Sequence, residues 1–350
     1  MSAISAEASL PHALPSASLA GLLYVGATAE PGRLAVLWRD GPTNREVTVS
    51  RGKLIAWAGA QGPSVARHVR QSLQQIDRSC QPFAGLSLDR PRLMGIINVT
   101  PDSFSDGGRW LSAEAAIAHG QALLAAGADI LDVGGESTRP GATALSPDEE
   151  MARVLPVVKE LAAQGALVSI DSRHSAVMAA AIAAGARIVN DISALSGDGA
   201  ALQTVADSDA SVVLMHMQGD PQTMQSDPRY RCAPLDVYDY LAARLAVCRS
   251  AGLADHRLCI DPGIGFGKSL QHNLQILARL GLYRTLGVPV LLGVSRKRFI
   301  AGLSRGEDPD SRLAGSLAAA LAGVRQGVQI LRVHDVAETR QALAVWQAIG

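Results

Sequence analysis

The chain has 350 residues, 48% hydrophobic and 18% charged, with 32 basic and 32 acidic side chains and a formal net charge of zero. That balance excludes an electrostatic nucleic-acid or membrane-surface binder, which needs excess positive charge, and the 4% aromatic content leaves few platforms for stacking bases. The length holds one large domain with an appendage, and no run of about 18 apolar residues marks a membrane span.

Residues 1–20 are small, polar and rich in Pro and Ser, and are expected to be disordered. They lack a basic leader, and Pro11 and Pro15 interrupt the apolar part, so a secretory signal is not expected and a cytoplasmic location is. Residues 21–88 carry strand-like pieces at 34–38 (LAVLW), 45–50 (REVTVS) and 53–57 (KLIAW), then helical periodicity over 64–76. This stretch reads as a small accessory α+β extension without a chemical motif. A chain starting near Ser87 is expected to fold and keep its activity.

Residues 89–350 show a regular rhythm. Short β-like runs fall at 94–98, 130–133, 167–170, 187–190, 211–215, 257–260, 289–293 and 329–333. Ala- and Leu-rich helical stretches follow them at 112–126, 147–163, 174–184, 199–208, 235–251, 270–279, 311–325 and 335–348. Eight βα units in this length predict an α/β fold, a (β/α)8 TIM barrel. An open doubly wound sheet would begin with a Gly-rich turn after its first strand, and none is present. Polar residues close nearly every run: Asn98, Asp132, Asp171, Asn190, His216, Asp261, Ser295 to Lys297, and Arg332 with His334. One such aspartate is explained by helix capping. A full set is better explained by a barrel, whose strand ends converge on one pocket.

Four stretches carry the chemistry. In 94–108 (MGIINVTPDSFSDGG) a strand ends in Asn98 before a long polar loop. A neutral amide there suits a hard cation that arrives with an anionic substrate; a capping asparagine is the equal alternative. In 127–142 (GADILDVGGESTRPGA), Arg139 can reach an anion or lie solvated. The stretch 261–269 (DPGIGFGKS) fails as a phosphate-binding loop because Pro262 occupies the place of the first glycine, so Phe266 reads as an apolar pocket wall. After the seventh and eighth strands come Arg296, Lys297 and Arg298, then Arg332 and His334 two apart on one side. Barrels commonly bind phosphate there, so a phosphorylated substrate is expected, against a solvated turn for the basic triplet. Cys80, Cys232, Cys248 and Cys259 lack metal or redox spacing and read as small buried hydrophobes in a reducing compartment.

Taken in order, NVTPDSFSDGG, DVGGESTRPGA, SIDSRHSAV, GARIVNDISALS, LMHMQGDPQTMQ, DPGIGFGK, GVSRKRF and RVHDVAET resemble the bacterial dihydropteroate synthase family over residues 92–350. The resemblance implies a Mg2+-dependent condensation of 6-hydroxymethyl-7,8-dihydropterin pyrophosphate with p-aminobenzoate, the step that sulfonamides block in folate biosynthesis. It assigns Asp261 to the 2-amino-pyrimidinone edge of the pterin, Asn190 and Asp171 to other ring nitrogens, and Lys297 to the ring carbonyl and N5. Met215 would lie against the ring face, with Asp132 in the pocket floor. Asn98 and Asp106 would hold Mg2+; Arg332, His334 and Thr138 the diphosphate; Phe266, Thr138, Arg139 and Pro140 the p-aminobenzoate. Catalytic work would fall to Asp171, Lys297, Arg332 and His334. A homodimer is implied too. Departures from the family pattern are Ser172, His174 and Ile264. A methyltetrahydrofolate methyltransferase-like barrel would not need Lys297, Arg332 and His334 together. A non-catalytic pterin-binding homologue would not need Asn98, Thr138 and Arg139.

Overall fold

The computed structural model describes residues 4–6, 9–11, 19, 21–99, 109–136 and 145–349. Near the N-terminus, strands β1 (Ile4–Ala6), β2 (Leu23–Ala27), β3 (Arg33–Asp40) and β4 (Thr43–Ser50) form a sheet in the order β1-β4-β3-β2. β2, β3 and β4 run antiparallel and β1 lies parallel to β4. Alternation places Leu34, Val36, Trp38, Val47 and Val49 in a core with Leu54 and Ala58 of α1 (Arg51–Ala60) and Val65, Val69 and Leu73 of α2 (Pro63–Asp77).

Two expectations are corrected here. Residues 53–57 are helical, not a strand: Ser50 Oγ accepts the Lys53 amide at the helix start, and the buried pair Leu54 and Ala58 has helical spacing. Their Ile and Trp content mimics a strand locally. Within 1–20, expected to be disordered, Ile4–Ala6 pairs with Asn44–Glu46, Leu10 and Leu19 are buried, and Trp57 Nε1 donates to Pro11 O at 2.8 Å.

The second sheet is wholly parallel: β5 (Arg92–Asn98), β6 (Ile130–Gly134), β7 (Val168–Asp171), β8 (Ile188–Asp191), β9 (Ser211–Met215), β10 (Leu258–Asp261), β11 (Leu291–Gly293) and β12 (Ile330–Val333). Neighbours follow chain order, β12 returns beside β5, and a bridge between Ile260 and Val290 joins β10 to the start of β11. The expected (β/α)8 barrel is therefore present. Helices α3 (Arg109–Ala125), α4 (Pro147–Ala163), α5 (Ser175–Ala183), α6 (Ala201–Ala206), α7 (Ala233–Ser250), α8 (Leu270–Leu277), α9 (Arg298–Leu303), α10 (Leu313–Arg325) and α11 (Val336–Ile349) surround it. No helix among the described residues is long and apolar enough to cross a membrane.

The barrel interior is layered. Met94, Ile130, Ile188, Val213, Cys259, Leu291 and Ile330 form one apolar tier, with Leu167 packed against it. Phe83, fully buried, joins this tier from a tight turn, in which Phe83 and Leu86 exchange backbone hydrogen bonds at 3.0 and 2.8 Å. The accessory boundary expected near residue 88 therefore cuts through the barrel's own packing: a chain starting at Ser87 loses Phe83.

Candidate active site

A strand repeats its facing every two residues. Two positions beyond the apolar tier, the same inward faces present Ile96, Asp132, Asn190, Met215, Asp261, Gly293 and Arg332. Two further on come Asn98, Gly134, Ser295 and His334, while β7 steps from Leu167 through Ser169 to Asp171. The candidate residues are thus the second and third tiers of the barrel, reached by plain alternation above an apolar floor.

Arg332 organises the second tier. Its Nε donates to Asp132 Oδ2 and its Nη2 to Asp171 Oδ2, each at 2.6 Å. Asn190 Nδ2 also donates to Asp132 Oδ2, at 3.1 Å. Asp132 is fully buried, and its Oδ1 has no partner among the described residues. An orphaned buried acceptor is costly, and a ligand that brings a donor would satisfy it. Burial, reinforced by Asp132, holds Asp171 above the usual carboxylate range although Arg332 pulls it down. Burial works against the charge of Arg332, and the two carboxylates outweigh it and raise its pKa.

Across the pocket, Asp261 Oδ1 accepts the Gly263 amide at 2.7 Å, and burial raises its pKa while Lys297 opposes the shift. A Cβ at Gly293 would lie 3.8–3.9 Å from Asp261 Oδ2, Lys297 Nζ and Arg332 Cβ, so these three side chains converge beside that glycine. Lys297 donates to Ile264 O, and its Nζ lies 4.6 Å from the centre of the Phe266 ring. Burial lowers its pKa to about 8 against the pull of Asp261. Met215 is paired in register with Asp261 and is buried.

The loop 262–269 is locked from below. Gly263 has φ +67°, and a Cβ there would overlap His216 O. Lys268, 3% exposed, donates to His216 Nδ1, Gly263 O and Phe266 O at 2.8–2.9 Å and to His216 O at 3.2 Å. Burial lowers the pKa of Lys268 well below its usual value, and burial beside it pushes His216 down to about 2. The lysine that mimics a phosphate-binding loop is instead an internal tie. The sequence signal for it was present, a lysine closing a Gly-rich apolar loop, but only the fold shows its target.

The basic triplet after the seventh strand splits. Arg296, in the left-handed region at φ +60°, forms a two-pronged pair with Asp335 at 2.6 and 3.1 Å and reaches Asp310 at 2.6 Å. Arg298 is exposed, and Lys297 alone of the three lines the slot. His334 Nδ1 meets Ser295 Oγ at 2.9 Å, and its amide donates to the same oxygen at 3.2 Å. Asn98 is exposed at the end of β5, in register with Gly134. Asp106, Thr138, Arg139 and Pro140 lie outside the described residues. Sequence reasoning passed over Glu136, which accepts both Arg173 Nε (3.0 Å) and Nη2 (3.1 Å), and Glu150, fully buried and 2.8 Å from His174 Nδ1.

Residues 94–334 match the family described as pterin binding enzyme. The dihydropteroate synthase of Neisseria meningitidis serogroup B is 49% identical over 270 residues, 76% of this chain and 95% of that protein. A structure of Xanthomonas albilineans dihydropteroate synthase with 4-aminobenzoic acid superposes with a TM-score of 0.72 at 51% identity, covering 77% of this chain and 98% of that one. The same enzyme in complex with 7,8-dihydropteroate gives a TM-score of 0.69 at 49% identity, covering 75% and 95%. A parallel barrel whose strand ends converge on a slot of buried carboxylates and cations, with likeness of this extent, places the chain in the dihydropteroate synthase family of pterin binding enzymes.

Proposed function

We propose that the chain is a dihydropteroate synthase, joining 6-hydroxymethyl-7,8-dihydropterin pyrophosphate to p-aminobenzoate and releasing pyrophosphate. The observation that carries this reading is the pair of buried acceptors, Asp132 Oδ1 without a partner and Asp261 Oδ2 beside Gly293, set among the cations Arg332 and Lys297. A pterin offers adjacent N–H donors on its pyrimidinone edge and a ring carbonyl beside them, the complement of a carboxylate and a lysine. Asp261 takes the forked donors and Lys297 the carbonyl and N5. Asn190 and Asp171 meet the remaining ring nitrogens, and Met215 lies against the ring.

The exocyclic C–O bond breaks with its electron pair leaving on the diphosphate. Arg332, with Nε and Nη2 bonded to carboxylates, would use Nη1 for that anion together with His334 and Thr138. Asp171, at the rim, stabilises the cation left on the methylene carbon. The aniline nitrogen of p-aminobenzoate, walled by Phe266, Thr138, Arg139 and Pro140, then forms the C–N bond and sheds a proton. An aniline is neutral at pH 7, so no strong base is needed. Asn98, a neutral oxygen donor exposed at the pocket mouth, fits a cation whose other ligands come from the diphosphate, and Asn98 with Asp106 would hold Mg2+ there. When bound, the ion neutralises charge on the departing pyrophosphate.

A homodimer, a cytoplasmic location and competition by sulfonamides at the p-aminobenzoate site belong to the same reading. So does a division of the chain into an extension and a barrel, placed near residue 80, ahead of Phe83. Incubating the full chain with both substrates and Mg2+ should yield 7,8-dihydropteroate and pyrophosphate in equal amounts. Pterin binding without turnover at saturating substrates would leave only a binding homologue.

A further inference from the structure

None of the site residues lies on the N-terminal extension, yet its sheet grips the two helices whose loops build one wall of the slot. Alternation puts Tyr24, Leu37, Arg39, Asn44 and Glu46 on one face of that sheet, because Leu37 is opposite both Tyr24 and Glu46, and Arg39 is opposite Asn44. That face meets the barrel: Tyr24, Ala35 and Leu37 pack with Cys232, Leu235 and Leu282.

Ion pairs made by Arg39 and by Glu46 flank this apolar patch. Arg39, with a side chain only 11% exposed, donates through Nη2 to Asp236 Oδ1 at 3.0 Å and Asp239 Oδ2 at 2.8 Å. Asp236 Oδ2 in turn caps the first turn of α7 by accepting the Cys232 amide at 2.9 Å. Glu46 Oε2 accepts Arg279 Nη2 at 2.7 Å and Nε at 3.2 Å, and Arg279 Nη1 bonds Gln275 O in the last turn of α8. The backbones also touch, since a Cβ at Gly26 would sit 2.8 Å from Leu282 Cα and one at Gly281 would overlap Ala27 O. The β3–β4 hairpin thus spans α7 and the segment after α8.

The loops that precede these two helices are interlocked. Tyr230 OH donates to Gly267 O at 2.7 Å, Gln225 Nε2 to Gly265 O at 2.5 Å, and Lys268 ties down His216 at 2.9 Å. Tyr230 packs edge-on against His272 in the first turn of α8, their ring centres 4.8 Å apart. The second of these loops carries Phe266 and the Ile264 carbonyl that receives Lys297. A shift of α7 against α8 therefore moves the wall that carries Phe266 and, through the Ile264 carbonyl, the anchor of Lys297.

We infer that the extension is a brace for the substrate site, in which Arg39 and Glu46 set the spacing of α7 and α8 and so position Phe266 and Lys297. The inference rests on the proposed synthase reading for its kinetic form only. Glu46 and Arg279 are positioning residues and touch no substrate.

The test is a charge-reversal cycle in the full chain: Glu46→Arg, Arg279→Glu and both together, with Glu46→Gln as a milder variant should either reversal fail to fold. Each single variant should raise KM for p-aminobenzoate threefold or more with kcat within twofold, and the double variant should bring KM back to within twofold of the parent. Backbone amide exchange over 262–269 should speed up in the singles and recover in the double. Singles that melt at lower temperature with unchanged KM and unchanged exchange in that loop would overturn the brace. A parent chain without turnover would sink the synthase reading alone, since loop exchange still decides for or against the brace.

Discussion

Asp261 and Lys297 converge beside Gly293, and burial shifts their proton equilibria in opposite directions. Replacing Asp261 with Asn keeps the size and removes the charge from a forked hydrogen bond. Bonds of that kind contribute about 1.5–3 kcal/mol, so pterin affinity should fall roughly tenfold or more by calorimetry, and an unchanged affinity would remove Asp261 from ligand recognition. Lys297 has a native pKa of about 8, below the ordinary 10.5. The unfolded chain therefore holds a proton that the native state has lost between those values, and this group's contribution to stability improves as pH rises through that window. Function should run the other way, because the ammonium is the stronger donor. Pterin binding should weaken as pH rises past about 8, and Lys297→Arg should move that alkaline limb upward; an unmoved limb would assign it to another group. Between the ordinary carboxylate range and their own raised values, Asp171 and Asp261 hold protons that the unfolded chain has released, so their contribution falls as pH climbs through that window.

Single elements carry constraints that no side chain shows alone. The turn at Phe83 plugs the apolar tier of the barrel with a fully buried ring. Truncating it by Phe83→Ala should cost about 3–5 kcal/mol of stability in denaturant unfolding, with the pterin contacts in the tiers above unaffected in the protein that remains folded. A loss below about 1 kcal/mol would show that the turn is only laid against the floor. The turn before α9 stores strain at Arg296, where a non-glycine residue is held left-handed by Asp335 and Asp310. That conformation directs Arg296 away from the slot and leaves Lys297 at the helix start, facing it.

Across the whole molecule, the extension and the barrel share a buried apolar patch, the ion pairs of Arg39 and Glu46 and direct backbone contact. A chain shortened to begin at Gln81 keeps Phe83 but uncovers Cys232, Leu235, Tyr238 and Leu282 and leaves Asp236 and Asp239 without Arg39. It should melt at lower temperature and associate on size exclusion, in contrast to the expectation from sequence that the extension is dispensable. Equal melting temperature, size and KM for the shortened and full chains would restore that expectation.

The sequence by itself determined the barrel, because its eight βα units rest on local rules. Short β-like runs set the strands, and the polar residues that close them, Asp132, Asn190, Asp261 and Arg332 among them, stand out without any knowledge of their neighbours. The tertiary structure alone decided that Arg296 turns to Asp335 and Asp310, where the buried Lys268 points, and that Phe83 belongs to the barrel. It also decided that residues 53–57 are a helix and that Arg39 and Glu46 reach Asp236, Asp239 and Arg279. In each case the deciding contact joins segments distant in the chain, or a backbone conformation is held by such a contact, and no local pattern encodes the partner.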